Sequence, residues 1–250
     1  MREKIRLYVE QPLGAGQSVP LSRDQAHYLF GVMRLKVGAG VALFNGTDGE
    51  WRANVVEAGK RGGVLVCDAQ TYPQILPPDV WLLFAPIKKA RTDFIVEKAA
   101  EMGARRIVPV ITEYTNSARL NIERLQAHAV EAAEQCGGTF VPEVAEAVKI
   151  DRLMADWDRG RMIMFCDEKL AGSGDAPGLA QFDKPAQGGS PWAVLIGPEG
   201  GFSDRDRKAI NALEGTVLNE DLGPRILRAD TAAVAALTRW QMALGDWDDL

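Results

Sequence analysis

Residues that could build a metal or disulfide framework are scarce: only 3 of the 250 are cysteine and 2 are histidine. The cysteines, Cys67, Cys136 and Cys166, are widely spaced and odd in number. That argues for free thiols in a reducing cytosol and against a disulfide scaffold. His27 and His128 add neither the ligands nor the spacing of a zinc site, so no metal is expected. No apolar run approaches the ~20 residues that span a bilayer. The opening MREKIRLYVE is charged throughout and lacks the apolar core of a signal peptide. The expectation is a soluble cytoplasmic protein with no membrane partner.

What is present is ordinary globular material, 46% hydrophobic and 25% charged. Such a length suits one large domain or two modest ones. The net charge of −5 argues against a polyanionic partner until its distribution is considered. Residues 1–127 carry 17 Lys and Arg against 13 Asp and Glu, and residues 128–250 carry 12 against 21. A mildly basic first half can meet a nucleic acid although the whole molecule is acidic, because phosphate contacts are local. Ordinary drift of charge along a chain gives the same picture.

The clearest boundary is TYPQILPPD at 71–79, where three prolines fix φ and remove donors. It reads as an extended linker. Before it, short β-favouring runs at 41–44, 51–56 and 64–67 are punctuated by glycine turns. One helix interrupts them, capped by Ser22, with Tyr28, Leu29, Val32 and Met33 as its apolar face. This pattern predicts a small β-barrel over residues 1–70. After the linker, apolar strands at 80–85, 107–111, 162–166 and 192–196 alternate with helices at 92–103, 121–136 and 229–244. Such alternation predicts an α/β domain over 80–250 with a mostly parallel sheet. Residues 172–189, rich in Gly, Pro and Ala, read as a mobile surface loop.

In parallel sheets ligands bind beyond the carboxyl ends of the strands. Three segments lie there. After the strand at 192–196 comes GPEGGFS, whose glycines let the backbone approach a ligand and present N–H groups to it. Ser203 and Asp206 form a variant capping box for the next helix. The cluster is neither G-x-G-x-x-G nor a P-loop, so dinucleotide and ATP chemistry lose ground. Residues 222–231, LGPRILRADT, combine a Gly-Pro turn, Arg225 and Arg228, and a helix start that Asp230 suits. Those arginines can clamp phosphate or simply be surface charges. Lys88, Lys89 and Arg91 follow the first strand of the domain, with Lys98 and Glu101 one turn apart on the helix.

Taken together, GPEGGFS and LGPRILRADTA resemble the two C-terminal motifs of the SPOUT methyltransferases. The closer resemblance is to the RsmE family, which methylates uridine N3 in 16S ribosomal RNA. Residues 87–103, with Lys88, Arg91, Asp93, Lys98, Glu101 and Gly103, are similar to that family's K-x-x-R-x-D…K-x-x-E-x-G block. EAAEQCGGTFVP at 131–142 is similar to its E-Q-C-G block. His27, Met33-Arg34 and Phe44-Asn45-Gly46 are similar to its amino-terminal domain. Two places depart from the common pattern: Gly138, where many relatives have Arg, and Ala229-Asp230, where they have Thr-Glu.

The resemblance implies a PUA/OB-like β-barrel followed by a SPOUT-type α/β domain with a trefoil knot. It implies a homodimer that binds S-adenosylmethionine and acts on 16S rRNA or the 30S subunit. Carried over by motif, the cofactor residues are Ile196, Gly197, Pro198, Gly201, Leu222, Gly223, Ile226, Leu227, Arg228, Thr231 and Ala232. Candidate RNA contacts are Lys88, Arg91, Arg34 and His27. Uridine N3 carries a proton that must leave before it attacks a methyl. Arg225 or Arg91 suits the developing anion, and Glu199 suits the proton. Two other readings stay open here. One is a related SPOUT enzyme acting on another RNA position, such as a tRNA ribose hydroxyl. The other is an idle RNA-binding or ribosome-assembly factor that keeps the fold.

Overall fold

A computed structural model of the chain describes residues 3–116, 119–174, 178–179 and 190–247. By backbone proximity it divides into two units. The first comprises Met1–Leu76 with Ala133–Val141, and the second comprises Pro77–Ala132 with Pro142–Leu250.

In the first unit, β1 (Arg6–Tyr8), β2 (Ser18–Pro20), β3 (Gly40–Phe44), β4 (Glu50–Ala58) and β5 (Gly63–Tyr72) form one sheet in the order β1-β3-β4-β5-β2. All neighbours are antiparallel except β1 and β3. Register shifts at Glu50/Trp51, Arg52/Ala53 and Val55/Glu57 increase the local twist and curl the sheet. The curled sheet wraps a core that includes Leu7, Val19, Leu29, Val41, Leu43, Val55 and Leu65. The strands β1 and β2, too short to show alternation, were not legible as strands. Tyr72 still belongs to β5, inside the span read as linker.

The helix after Ser22 begins as expected. Ser22 and Gln25 form a reciprocal capping box on α1 (Arg23–Ala26). The chain then widens into a π-helix over His27–Val32, closed by Met33 N–H donating to Tyr28 O at 2.9 Å. The extra residue per turn rotates the expected face. Leu29 is buried, whereas Val32 and Met33 are 57% and 41% exposed. Gly31 has no Cβ to clash with the His27 ring, whose Nδ1 would lie 2.9 Å away. Arg34 follows with φ of 57°, the one non-glycine residue in the left-handed region among the described residues.

Arg6 organises the rest of this unit. Its buried guanidinium donates to Glu50 Oε2 at 2.7 Å and to the carbonyls of Ala133, Glu134 and Gly138 at 2.6, 2.9 and 2.6 Å. It also lies over the Phe44 ring. Gly138 thus contributes its carbonyl. A Cβ there would meet the Cys136 sulfur at 3.5 Å and the Phe140 carbonyl oxygen at 4.0 Å, both ordinary contacts.

The second unit is an α/β fold. Its strands are β6 (Val80–Phe84), β7 (Arg106–Ile111), β8 (Glu143–Val144), β9 (Val148–Lys149), β10 (Met162–Cys166), β11 (Trp192–Ile196) and β12 (Val217–Asn219). They are ordered β12-β10-β11-β6-β7-β8, with β9 beside β7, and every pair is parallel. The central strands are continuous apolar runs because both faces are covered. One face packs Leu83, Ile163, Phe165, Ala193 and Leu195 against α4 (Ile150–Ala155) and α5 (Asp204–Asn211). Helices α2 (Lys89–Glu101) and α6 (Ala229–Leu244) pack on each other, and Gln241 Nε2 donates to Met102 O at 2.7 Å. On α6, Ala233, Leu237, Trp240 and Leu244 are buried. On α3 (Ile122–Cys136), Leu125, Ala129 and Ala132 are buried while Cys136 is exposed.

Asp230 does not cap α6. That position belongs to Arg228, which makes no side-chain cap bond, while Asp230 Oδ1 accepts from Thr231 N at 2.9 Å. Most of the loop read at 172–189 lies outside the described residues. No helix among the described residues is long and apolar enough to cross a membrane.

Candidate active site

A parallel sheet brings all its carboxyl ends to one edge, and β10, β11 and β12 end together there. Their loops line an open cleft. From the segment after β11 come Ile196, Gly197 and Pro198, and from the segment after β12 come Leu222, Gly223, Arg225, Ile226, Leu227 and Ala232. The two sequence motifs therefore face each other across one cavity. Of the other motif residues, Gly201, Arg228 and Thr231 stand outside the lining. Arg228 and Thr231 are exposed at the start of α6.

Four acids at the cleft were not singled out from sequence: Asp167 and Glu168 after β10, and Glu220 and Asp221 after β12. The strand-end rule applied to β10 reaches the first pair. The second was hidden because β12 is only three residues long. Each acid is held in place. Asp221 accepts from Gly172 N at 3.0 Å and Gly223 N at 2.9 Å. Glu220, fully buried, pairs with Arg239 and accepts from Leu179 N at 2.7 Å. Cys166 also lines the cleft. Burial pushes its thiol far above the ordinary range, and the Glu220 carboxylate pushes it the same way against the pull of Arg239.

Arg207 on α5 ties two of these loops together. Its Nε donates to Asp167 Oδ2 at 2.7 Å, and its Nη2 donates to Asp167 Oδ1 at 2.8 Å and Glu168 Oε1 at 2.6 Å. Its Nη1 donates to Phe202 O. Glu168 Oε1 also accepts from Phe202 N at 3.3 Å. Desolvation opposes ionisation of Asp167, but the Arg207 hydrogen bonds and charge, with the Lys169 N–H, hold its carboxyl below the usual range. The same contacts raise Arg207. The glycine turn is fitted to this clamp. Gly201, with φ of +73°, would drive a Cβ into Glu168, and a Cβ on Gly197 would lie 2.6 Å from the Phe202 ring. Ser203 and Asp206 form the expected capping box that begins α5.

A second cleft lies at the same sheet edge and shares Pro198 with the first. It is lined by Pro86, Ile87 and Lys88 after β6, Tyr114 and Asn116 after β7, and Glu199. Glu199 Oε1 is 3.5 Å from Arg91 Nη1, and Asp230 Oδ2 is 3.7 Å from the same nitrogen. Lys98 and Glu101, one turn apart on α2, form an ion pair at 2.6 Å. In the first unit, His27 lines a groove with Phe30 and Lys60.

The first cleft suits S-adenosylmethionine by its chemistry. Ile196, Leu222, Ile226, Leu227 and Ala232 offer apolar walls, and Asp221, held by the backbone N–H groups of Gly172 and Gly223, offers a carboxylate to a cationic group. A Cβ built on Gly223 meets nothing within 4 Å, so there is open space at that wall.

Residues 74–241 match the family described as an RNA methyltransferase domain, and residues 21–66 match one described as an RNA methyltransferase PUA domain. Ribosomal RNA small subunit methyltransferase E of Rickettsia conorii is 28% identical, covering 94% of this chain and 93% of the relative. The protein of the same name from Synechocystis is 30% identical, covering 89% and 72%. A putative methyltransferase of Legionella pneumophila, solved in complex with the bound cofactor SAM, superposes with a TM-score of 0.85 at 26% identity, covering 98% and 100%. The Neisseria gonorrhoeae methyltransferase E bound to S-adenosyl methionine shares the fold, with a TM-score of 0.84 at 23% identity, covering 97% and 99%. With its RNA methyltransferase domain spanning both loop motifs and its similarity running nearly end to end, the chain belongs to the ribosomal RNA small subunit methyltransferase E family.

Proposed function

We propose that this protein transfers a methyl group from S-adenosylmethionine to N3 of a specific uridine in the 16S rRNA of the small ribosomal subunit. The observation that carries this reading is the single cleft built by the loops after β11 and β12. It occurs in a chain similar along most of its length to proteins named for small-subunit rRNA methylation.

When bound, the cofactor supplies a methyl already activated by its sulfonium, so the protein's work is mainly positioning. In this reading the apolar walls and glycine backbones of residues 196–201 and 222–232 hold the cofactor, with Arg228 and Thr231 at its rim. Arg225, on the cleft wall, favours the anion that develops on the uracil ring, and Arg91 is the second candidate for that role. Glu199 takes the N3 proton. Residues 1–70 serve as the RNA-binding domain, 71–79 as the linker and 80–250 as the methyltransferase domain. His27 and Arg34 on the first unit and Lys88 and Arg91 on the second meet RNA phosphates. The enzyme works in the cytoplasm as a homodimer.

Nucleoside mass spectrometry of 16S rRNA from cells with and without the gene tests the reaction. Loss of 3-methyluridine is expected, and an unchanged level would sink the assignment. Titration with S-adenosylmethionine separates an enzyme from an idle RNA binder.

A further inference from the structure

The second cleft has a chemical character of its own. Its walls come from adjacent strands, since β11, β6 and β7 are neighbours in the sheet. The turn that carries Tyr114 is fixed by its own hydrogen bonds. Thr115 N donates to Thr112 O at 3.2 Å, and Thr112 N donates to Thr115 Oγ1 at 2.9 Å. Glu113 N reaches Asp206 Oδ2, the capping carboxylate of α5, at 3.3 Å. Gly200 gives the Tyr114 side chain room to lie against the loop after β11, because a Cβ there would be only 3.3 Å from Tyr114 Cβ. The Tyr114 side chain is thus set beside Pro198, the wall shared with the cofactor cleft, and remains 46% exposed.

Around this ring stand Lys88, a pure donor, Glu199, a pure acceptor when ionised, and Asn116, whose amide can donate. The base-pairing edge of uracil reads acceptor, donor, acceptor across O2, N3–H and O4. Lys88, Glu199 and Asn116 supply the complementary donor, acceptor and donor. Cytosine does not match this set, because its N3 is an acceptor facing Glu199 and an amino group replaces O4. Asn116 suits a carbonyl oxygen and Glu199 the N3 proton; once Glu199 has taken that proton it must swing aside, because the methyl enters along the same in-plane direction at N3.

Resting on the uridine-methylation reading, we propose that this second cleft seats the target uracil. Tyr114 stacks on its face, and Lys88, Glu199 and Asn116 read its edge. The base is swung out of its strand to reach this seat, and N3 is presented past Pro198 to the cofactor cleft.

The test uses the full chain, S-adenosylmethionine and small subunits purified from cells lacking the gene. Tyr114→Ala is expected to lower kcat/KM about tenfold to a hundredfold, the range of losing one base–aromatic stack. Tyr114→Phe is expected to recover most of that loss, and cofactor Kd should be the same in both variants as in wild type. A 16S fragment carrying 4-thiouridine at the target is expected to crosslink within the peptide containing Tyr114. Full-rate methylation by both Tyr114→Ala and Asn116→Ala overturns the proposal. So does a crosslink confined to other peptides, or cofactor binding lost together with activity, which would make this wall structural. A wild type that leaves uridine N3 unmethylated fails at an earlier point and removes the functional reading itself.

Discussion

Arg91 and Glu199 face each other across 3.5 Å, and the arginine nitrogen in that pair is buried without a hydrogen-bond partner. Asp230, at 3.7 Å, completes the arrangement without supplying one. A buried donor left in this state costs about 1–3 kcal/mol. A substrate oxygen entering between the two carboxylates would recover it.

The first prediction follows from that open donor. Arg91→Ala should lower kcat/KM toward 16S rRNA by about 10-fold to 100-fold, the equivalent of one charge-assisted hydrogen bond of about 1.5–3 kcal/mol. Arg91→Lys should recover only part, since an ammonium lacks the planar fork. Steady-state kinetics and calorimetry with S-adenosylmethionine check it together. A matching loss of cofactor affinity would place Arg91 in loop structure instead.

Arg207 carries the second prediction. It is 13% exposed in its side chain and holds Asp167, at 9%, together with Glu168. Arg207→Met removes the cation and leaves those acids unpaired. Breaking a largely buried pair costs about 3–5 kcal/mol, and partial exposure argues for the lower end. Thermal unfolding should shift down by roughly 6–12 °C at ~2–4 °C per kcal/mol. Cofactor Kd should weaken as well, because the clamp sets the spacing of two cleft loops. A variant with normal melting and normal Kd would show that the clamp is decorative.

The third prediction concerns pH. Asp167 is held below its ordinary value of 3.8. A carboxylate depressed in the folded state contributes stability that is fully present above the unfolded pKa and lost as pH falls through the folded one. The Asp167 contribution should therefore be constant from neutrality to about pH 5 and decline only in the acid range below 3.8. Urea unfolding of wild type and Asp167→Asn at several pH values measures it, with a shallower acid slope expected for the variant. Equal slopes would locate the acid sensitivity elsewhere.

The glycine turn gives the fourth. Gly201→Ala places a methyl into Glu168 and a non-glycine residue at φ of +73°. The left-handed conformation alone costs about 1–2 kcal/mol. Gly16, at φ of +77°, has nothing within 4 Å of a built Cβ. Gly16→Ala should lose stability similarly yet leave cofactor binding untouched, whereas Gly201→Ala should lose both. Isothermal titration of the two variants separates strain from collision.

How much of this was legible before the fold is seen differs by element. The strands 162–166 and 192–196 and the helix 229–244 agree with the structure residue for residue, because each is a long apolar run or a clear stripe. Residues 6–8, 18–20 and 217–219 form strands of three residues, too short for alternation to register. The face of the helix after Ser22 was misjudged because a π-turn breaks the 3.6-residue period on which such a reading rests. At the site, backbone loops were visible through Gly197, Gly201 and Gly223. Asp167, Arg207 and Tyr114 were not, because their importance lies in contacts made across strands far apart in sequence. The Ala133–Val141 segment shows the same limit: its tie to Arg6 spans well over a hundred residues.

The cysteines supply the last prediction, and it reports on the cofactor cleft. The thiolate is the reactive species, so labelling follows exposure and thiol pKa. Cys136 is exposed, Cys67 is buried, and Cys166 is partly covered at the cleft wall. Burial raises the Cys67 thiol against a hydrogen bond from Gly14, and burial beside Glu220 raises Cys166 much further. With a thiol reagent near pH 8, one cysteine should therefore react quickly in the native protein, and all three should react once urea unfolds it. Cys136→Ser should abolish the fast phase. Although Cys166 borders the cleft, saturating S-adenosylmethionine should leave that fast phase unchanged, because burial, reinforced by the Glu220 carboxylate, already keeps its thiol protonated. Fast native labelling of Cys166 that the ligand suppresses would instead mean that this thiol is open to solvent at the cleft wall and not protected by burial.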